Sequence, residues 1–245
     1  MDNLILTEQQ NNVLTITLNR FDKKNALNTI MYQRLSELFL QANDNNNIHC
    51  VVIQGNDQCF CAGNDLQDFI ASSESESLAA FDFIKILAEF QKPLIAAVAG
   101  PAVGIGTTLL LHCDMVFTTE KAKFKLPFTQ LGLCPEAASS LLLSLRLGHN
   151  KAFELLVLGN TFNGQQAIDL GIANQLCDSN DLLTTAKNTA LAIAQLPQDA
   201  VLTSRRLIKQ ASHSQVINTM NAEAQEFTRL VKTDTCKNIL ASFFK

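Results

Sequence analysis

The chain has 245 residues, of which 47% are hydrophobic and 17% charged, and its formal net charge at pH 7 is −4. An apolar fraction this high with so small a net charge excludes disorder as the main state, and the pI of about 5.6 argues against nucleic acid as a partner. The longest apolar runs, such as residues 94–99, are well short of the roughly 20 residues of a membrane span, and the N-terminal sequence MDNLILTEQQ lacks the pattern of a secretory signal.

A strand pair and a helix are predicted at the N-terminal end. Alternating and β-branched residues predict strands at Leu4–Leu6 and Val13–Leu18. Asn28 or Thr29 can cap a helix that runs to about Ala42. The apolar positions that we expect this helix to bury are Ile30, Leu35, Leu38 and Phe39.

Two continuous apolar runs, Cys50–Ile53 and Pro93–Gly100, are typical of strands that are buried on both faces. Between them, Ser72–Ser77 contains only serine and glutamate, so we expect a mobile surface segment there. The other predicted elements are a helix ending at Phe90, strands at Met115–Thr118 and Lys123–Leu126, and mostly helix from Glu136 to Phe244.

The two buried strands share a further feature, because glycine and a loop leading into a helix follow each of them. This arrangement occurs at residues 51–66 and again at residues 94–109. Two such units side by side would bring two backbone N–H groups into one pocket, and an oxyanion hole can be built in this way without side chains. The alternative, that each glycine only ends its strand, stays open at this point.

The cysteines and histidines form no recognisable metal, disulfide or hydrolase motif. None of the seven cysteines has Cys-x-x-Cys spacing, so we expect reduced thiols and no metal site. The four histidines are scattered, and His112, beside Cys113 in an apolar segment, is expected to be buried and structural. The Gly-rich loop at residues 100–108 fits neither the dinucleotide-binding nor the P-loop pattern, and the chain contains no Gly-x-Ser-x-Gly or His-Glu-x-x-His sequence.

Two acidic residues have both a structural and a functional interpretation. Asp65, just before Leu66, can cap a helix or take part in a site. Glu136 follows Pro135, and this pair is common in the first turn of a helix because the helix dipole favours glutamate there. Apolar neighbours such as Leu133 would instead desolvate Glu136 and raise its pKa, as a general base near neutral pH requires.

Nine segments follow one another in an order that resembles the crotonase, or enoyl-CoA hydratase/isomerase, superfamily. They are Leu18–Arg20, Lys24–Leu27, Phe60–Leu66, Lys92–Gly100, Cys113–Asp114, Ala122–Phe124, Gln130–Gly132, Leu158–Gly159 and Ala167–Gly171. The resemblance covers about residues 1–175 and implies an α/β fold, a crotonase-like spiral of ββα units (residues 1–190) with a helical C-terminal trimerisation region (residues 191–245). It also implies an acyl-CoA thioester substrate and a homotrimer or a dimer of trimers.

In that superfamily two backbone N–H groups hold the thioester oxygen. The resemblance assigns this oxyanion hole to Asn64, which follows the glycine of the first loop, and to Ile105, at the middle position of a Gly-Gly-Gly run that is Gly-Ile-Gly here. The CoA and substrate contacts that it implies fall on Lys24, Ala26, Ala62, Gly63, Asn64, Asp65 and Leu66.

The catalytic carboxylates depart from the hydratase pattern. Hydratases carry glutamates at the positions of Thr108 and Phe128, and neither of these residues can act as an acid or a base. The surrounding segments instead resemble peroxisomal-type Δ3,Δ2-enoyl-CoA isomerases of fatty-acid β-oxidation, whose single catalytic glutamate corresponds to Glu136. The resemblance implies a 1,3 proton shift from 3-enoyl-CoA to 2-enoyl-CoA through a thioester enolate, without a metal or a redox cofactor. Because bound water would be a liability in this reaction, we expect Phe128, Leu133 and Leu142 to form the apolar floor of the acyl pocket.

Three alternatives accompany this interpretation. A hydratase or other crotonase reaction on an acyl-CoA is the alternative within the family, and a non-catalytic homologue that binds acyl-CoA or RNA is the alternative from another class. A ClpP-like protease shares the fold, but no serine of this chain has a recognisable arrangement of His and Asp. We expect a cytoplasmic protein, because the sequence ends in Ser-Phe-Phe-Lys and not in the peroxisomal signal Ser-Lys-Leu. The apolar residues that favour a trimer near the C-terminus are Phe227, Leu230, Ile239, Leu240, Phe243 and Phe244.

Overall fold

The computed structural model describes residues 4–72 and 78–243 of the chain. The segment for which we predict mobility, Ser72–Ser77, lies outside the described residues from position 73 onward, and so does Phe244. Within the described ranges, no helix combines the length and the apolar content that a membrane span requires.

The strands of the described residues form two sheets. In chain order they are β1 (Ile5–Gln10), β2 (Val13–Leu18), β3 (Cys50–Gln54), β4 (Leu94–Val98), β5 (Pro101–Val103), β6 (Met115–Thr118), β7 (Lys123–Lys125), β8 (Phe162–Asn163) and β9 (Gln175–Leu176). The larger sheet has the order β1-β2-β3-β4-β6-β9, antiparallel between β1 and β2 and parallel elsewhere. The smaller sheet has the order β5-β7-β8.

Helices connect and cover these strands. They are α1 (Thr29–Asp44), α2 (Leu66–Ser72), α3 (Ala79–Glu89), α4 (Ile105–Thr108), α5 (Ser139–Leu147), α6 (His149–Phe153), α7 (Gly164–Asp169), α8 (Leu182–Ala194), α9 (Gln198–Gln210), α10 (His213–Val231) and α11 (Asp234–Ser242). Short 3-10 turns lie at Phe21–Lys23, Leu109–His112 and Thr129–Leu131, and a π-helical turn at Glu154–Leu158 follows α6.

The first hairpin is longer and tighter than the sequence predicts. β1 extends to Gln10, and only Asn11 and Asn12 turn the chain, with φ angles of 49° and 64°. Asparagine tolerates this left-handed conformation, and two such residues form a turn whose twist matches that of the flanking strands. The end of β1 was missed because every residue of the strand after Ile5 is exposed, so no apolar alternation marks it.

The two apolar runs of the sequence are confirmed as buried strands, since every residue of β3 and β4 is buried. Their side chains alternate between two apolar layers. On one face, Val52 and Ile95 pack in a cluster with Ala186 and Ala190 of α8. On the other face, the main core contains α1 and α3. This two-sided burial explains why β3 and β4 lack polar alternation.

Helix α1 begins where the sequence predicts, because the Asn28 side chain accepts a hydrogen bond from the N–H of Met31 at 3.0 Å. The prediction that Ile30 is buried is wrong, since this side chain is 64% exposed. Ile30 lies beside the buried stripe of the helix, and its apolar character alone did not fix the face. The buried residues of α1 are Met31, Tyr32, Leu35, Leu38, Phe39 and Ala42.

The C-terminal helices fold back onto the rest of the chain. The ring of Phe227 on α10 lies 5.8 Å from that of Phe69 and 5.5 Å from that of Phe81, measured between ring centroids. Phe227 and Leu240 are therefore buried within the single chain. The argument for a trimer assumes that they are exposed, and this assumption is wrong for these two residues. Phe243 is exposed as expected. The trimer stays a prediction.

Candidate active site

The two glycine-containing loops are paired through their backbones. The N–H of Cys61 donates to the carbonyl of Pro101 at 3.0 Å, and the N–H of Val103 donates to the carbonyl of Cys61 at 2.9 Å. A Cβ atom on Gly106 would lie 2.5 Å from the Cys61 carbonyl oxygen, so this close approach requires glycine. Gly100, which follows β4, also approaches the first loop closely, because a Cβ atom there would lie 1.8 Å from the Gln58 carbonyl oxygen. Gly100 thus does more than end its strand.

The amides of Asn64 and Ile105 stand at this junction without a protein acceptor anywhere in the part of the chain that the structure describes. Asn64 pairs with Leu27 through the groups on either side of it, since the N–H of Leu27 donates to Gly63 and the N–H of Asp65 donates to Leu27. The Asn64 N–H therefore points away from this ladder. Ile105 is the first residue of α4, where a helical N–H has no partner within the helix.

The residues expected to contact CoA form one continuous surface beside this junction. The N–H of Ala62 donates to the carbonyl of Lys24 at 3.0 Å, and Leu27 is bonded to Gly63 at 2.8 Å. Lys24 is exposed, while Ala26, Ala62 and Leu66 are half-buried. The structure thus brings the two predicted contact segments together.

Asn25 is a buried residue that fixes this surface, and its role was missed at the sequence level. Its side-chain oxygen accepts the N–H of Arg20 at 2.9 Å, and its amide nitrogen donates to the carbonyls of Cys59 and Phe60 at 3.1 Å each. Its φ angle of 56° is left-handed. Asparagine suits such a position because its short polar side chain bonds locally, and this preference was the available signal.

The carboxylate of Asp65 has structural partners, as the helix-cap interpretation predicts. It accepts the N–H groups of Gln67 and Asp68 at 3.0 and 3.1 Å and pairs with Arg20 at 2.7 Å. Burial alone would raise the pKa of Asp65, but these hydrogen bonds and the Arg20 charge outweigh it and hold the pKa below its usual value. Asp65 therefore caps α2 and anchors the first loop as an ionised group.

Glu136 does not lie in the first turn of a helix, so that part of the sequence interpretation is wrong. Helix α5 begins at Ser139, and the two intervening residues, Ala137 and Ala138, have left-handed φ angles of 57° and 54°. Two consecutive left-handed alanines are not predictable from local preferences, which disfavour this conformation for alanine. The resulting turn directs Glu136 into the protein, where it is only 4% exposed.

Only one of the two carboxylate oxygens of Glu136 accepts a hydrogen bond from the described residues. Its Oε1 accepts a hydrogen bond from the Thr108 hydroxyl at 2.5 Å, and its buried Oε2 has no partner within the described residues. Burial raises the pKa of Glu136 to about 8. The Thr108 hydrogen bond lowers this pKa, and the nearby charge of Glu223 raises it. A carboxylate with this pKa and a free oxygen is suited to proton abstraction near neutral pH.

Tyr32 and Glu223 are two buried polar residues near Glu136 that no pattern in the sequence singles out. The Tyr32 hydroxyl donates a hydrogen bond to the side-chain oxygen of Asn64. Burial raises the pKa of Tyr32 well above its usual value, and the proximity of the ionisable groups of Cys61 and Glu136 adds to the rise. Tyr32 thus contacts the loop that carries Asn64 and also lies within electrostatic range of Glu136. Tyr32 and Glu223 lie in helices α1 and α10, and in the sequence nothing distinguishes them from the other residues of these helices.

His112 has the structural role that its apolar surroundings predict. Its Nε2 lies 2.8 Å from the carbonyl oxygen of Ala137, within the turn that follows Glu136. Burial lowers the pKa of His112 to about 4, so the ring is neutral at pH 7. It supports the turn and is not a proton donor at neutral pH.

The cavities beside the candidate site are small. One of about 10 Å³ is lined by Glu136, Glu223 and Met220, and another of about 10 Å³ is lined by Asn64 and Tyr32. Each has the size of about one water molecule, so an acyl chain requires side chains to move on binding. A large cavity of about 770 Å³ lies elsewhere, and the described residues that line it do not include Glu136.

The predicted acyl-pocket residues separate into two groups. Phe128 and Leu133 are buried, and the N–H of Leu133 donates to the Phe128 carbonyl at 2.8 Å. Leu142 instead lines the large cavity with Leu145 and Ile208. It lies in α5, four residues after Ala138, and it also packs against the main core that contains Phe128 and Leu133.

The chain matches known proteins along most of its length. Residues 8–245 match the family described as enoyl-CoA hydratase/isomerase. The 1,2-epoxyphenylacetyl-CoA isomerase of Escherichia coli K12 is 34% identical over 91% of this chain and 87% of that protein. Enoyl-CoA delta isomerase 2 of Rattus norvegicus is 30% identical over 98% of this chain and 63% of that protein. The structure of Pseudomonas aeruginosa OdaA has a TM-score of 0.96 and 43% identity over 99% of both chains.

These matches include the paired loops, the turn that holds Glu136 and the C-terminal helices. The fold is the mixed α/β crotonase fold that the sequence motifs imply. The chain belongs to the enoyl-CoA hydratase/isomerase family of the crotonase superfamily.

Proposed function

We propose that this protein is a Δ3,Δ2-enoyl-CoA isomerase that uses Glu136 as its single acid–base group. The observation that carries the proposal is the state of this carboxylate, which is buried, has a pKa of about 8 and keeps one oxygen free of hydrogen bonds within the described residues. The free amides of Asn64 and Ile105 support the proposal, because they can donate hydrogen bonds to a thioester oxygen that becomes negatively charged.

The reaction is a proton transfer between two carbons of one substrate. Glu136 takes the proton from C2 of a 3-enoyl-CoA, and the C–H electron pair forms a C1–C2 double bond while the carbonyl electrons move onto the thioester oxygen. The amides of Asn64 and Ile105 stabilise this oxyanion, and one such donor is worth about 3–4 kcal/mol. The carbonyl then re-forms, the double bond moves to C2–C3, and protonated Glu136 returns its proton to C4.

Among the residues that the structure describes, a second catalytic carboxylate, which the hydratase interpretation needs, has no suitable candidate beside Glu136. Thr108 and Phe128 occupy the positions where the resemblance expects glutamates. Glu223 lines the same small cavity as Glu136, but its two oxygens accept hydrogen bonds from Ala138 and Ser140. The carboxylate of Glu223 is therefore occupied by hydrogen bonds from two backbone N–H groups and a hydroxyl, and it is not free to activate water. This arrangement favours isomerisation over hydration.

Separate assays of isomerisation and hydration test this proposal. We expect 3-hexenoyl-CoA to be converted to 2-hexenoyl-CoA, and 2-hexenoyl-CoA to gain no water at a comparable rate. Faster hydration than isomerisation would support the hydratase alternative. Tight thioester binding without turnover of either compound would support the non-catalytic alternative. Turnover of 1,2-epoxyphenylacetyl-CoA, the compound in the name of the E. coli relative, in preference to 3-hexenoyl-CoA would also overturn the proposal.

We further propose that the active protein is a homotrimer or a dimer of trimers in the cytoplasm and needs neither a metal nor a redox cofactor. The seven free cysteines support a reducing compartment. The chemistry supports the second part, because a 1,3 proton shift exchanges no electrons. We expect full isomerase activity after dialysis against a chelator.

A further inference from the structure

We propose that Glu223, on the C-terminal helix α10, is a positioning residue for Glu136: its carboxylate holds the backbone turn that follows Glu136 and places a negative charge beside it. The inference rests on the proposed role of Glu136 as the base. It concerns a residue that contacts the base only through the backbone and the electric field, not through the substrate.

The geometry of Glu223 is that of a helix cap supplied from a distant part of the chain. Its Oε2 accepts the N–H of Ala138 at 2.6 Å, and its Oε1 accepts both the N–H and the hydroxyl of Ser140, at 3.0 and 2.5 Å. Helix α5 has no side-chain cap of its own, since its first flanking residue is Ala138. Glu223, 85 residues further along the chain, supplies the acceptors that a local Ser or Asp usually provides.

This cap determines where Glu136 lies. The left-handed alanines 137 and 138 connect Glu136 to α5, and alanine adopts this conformation only when its surroundings enforce it. Glu223 bonds the second of these alanines directly, and the His112 ring bonds the carbonyl of the first. Without Glu223, the N–H groups of Ala138 and Ser140 would lose their acceptors in a buried region, so the turn would relax and Glu136 would shift.

The charge of Glu223 is the second part of the inference. Both carboxylates line the same small cavity, and Lys85 of α3 lines it at the exposed end. The hydroxyl of Tyr32 on α1 is close enough to Glu136 for the two groups to interact electrostatically. The Cys134 thiol donates a hydrogen bond to the backbone carbonyl of Glu223. Burial raises the pKa of Glu223, and its hydrogen bonds with Ala138 and Ser140 oppose this rise without cancelling it. The three groups that Glu223 binds all donate hydrogen bonds, and such donors favour the ionised form of a carboxyl group.

The test is the pH dependence of isomerisation in Glu223→Gln. Loss of the charge should move the rising limb of kcat/KM to lower pH by about one unit. The glutamine amide cannot accept all the hydrogen bonds that the two carboxylate oxygens of Glu223 accept from Ala138 and Ser140. We therefore expect Glu136 to shift and the plateau value of kcat/KM to fall about tenfold, mainly through kcat. Glu226→Gln, on the same helix but exposed, is the matched control and should leave both the limb and the plateau unchanged. A Glu223→Gln limb that coincides with the parent limb would overturn the inference.

Ser140→Ala keeps the inference testable if Glu223→Gln does not fold. This change removes the hydroxyl donor but keeps the charge, so we expect the limb to stay in place and the plateau to fall at least threefold. A plateau equal to that of the parent would contradict the positioning role. Glu136→Gln separates this inference from the proposed function. If Glu136→Gln stays active, the base itself is misassigned; if it is inactive while Glu223→Gln behaves like the parent, only the role of Glu223 is wrong.

Discussion

At the scale of single residues, the burial of Glu136 couples catalysis to stability. Its pKa of about 8 in the folded protein is far above the value of about 4.3 in an unfolded chain. Between these values the folded state holds a proton that the unfolded state has lost, so the free energy of unfolding decreases as the pH rises from about 5 to 8.

This linkage predicts the stability of Glu136→Gln, which replaces the carboxyl group with a neutral side chain of similar size. We expect the variant to be more stable than the parent at pH 9 by roughly 2–4 kcal/mol, and nearly equal to it at pH 5, where the parent carboxyl group is protonated. Urea unfolding at the two pH values measures the difference. The same gap between variant and parent at both pH values would show that Glu136 has an ordinary pKa.

Thr108 affects Glu136 in the opposite direction to Glu223. Its hydroxyl donates to Oε1 at 2.5 Å and stabilises the ionised form. We predict that Thr108→Val, which keeps the shape but removes the donor, raises the pKa of Glu136 and moves the rising limb of kcat/KM to higher pH by about half a unit or more. Thr108→Ser keeps the donor and is the control. The prediction fails if the Val and Ser variants have the same pH profile.

At the scale of elements, the contact between the two loops depends on glycine at the start of α4. Gly106→Ala would place a Cβ atom 2.5 Å from the Cys61 carbonyl oxygen. We predict a loss of about 1–3 kcal/mol in stability and a large loss of turnover, because the amides of Asn64 and Ile105 are pushed apart. Turnover equal to that of the parent, measured per folded molecule, would contradict the oxyanion-hole assignment.

Gly148→Ala is the matched control for this change. Gly148, unlike Gly106, has a left-handed φ of 76°, but a Cβ atom there would meet nothing within 4 Å. We therefore expect lower stability from backbone strain but unchanged turnover per folded molecule. A comparable loss of turnover in both variants would mean that general destabilisation, not loop geometry, explains the effect.

The sequence predicts those elements whose determinants are local. Strands β3 and β4 follow from continuous apolar runs, and the start of α1 follows from the cap at Asn28. The two-residue strands β8 and β9 are too short for any periodicity to show. Glu136 itself was identified through the resemblance, but its turn was not, because the partners that enforce the turn lie far away in the chain.

The contrast between local and distant determinants also explains which residues of the candidate site could be identified from the sequence and which could not. The role proposed for Asn64 and Ile105 rests on their backbone amides, so their positions follow from the glycines beside them. Tyr32 and Glu223 act through side-chain contacts across 32 and 85 residues. No local pattern encodes a contact of that range, and both residues occur at helix positions that are equally consistent with packing alone.

At the scale of the whole molecule, the single chain leaves apolar surface uncovered. Leu145, Leu207 and Ile208 are 60%, 58% and 78% exposed, and a concentration of such groups is unusual on a monomer. We predict that the protein is a trimer, or a multiple of a trimer, in solution. Light scattering at micromolar concentration tests this directly, and a mass near the 26.9 kDa of one chain would contradict it.

The measurement that tests the central claim most directly is the turnover of 3-hexenoyl-CoA by Glu136→Gln. The change removes the proton acceptor and keeps the size of the side chain, so we predict that kcat falls at least 10²–10⁴-fold, roughly the contribution of a general base. CoA thioester affinity should change little, because the proposed contacts lie in residues 24–26 and 62–66. Turnover within a few-fold of the parent would show that Glu136 does not carry the proton.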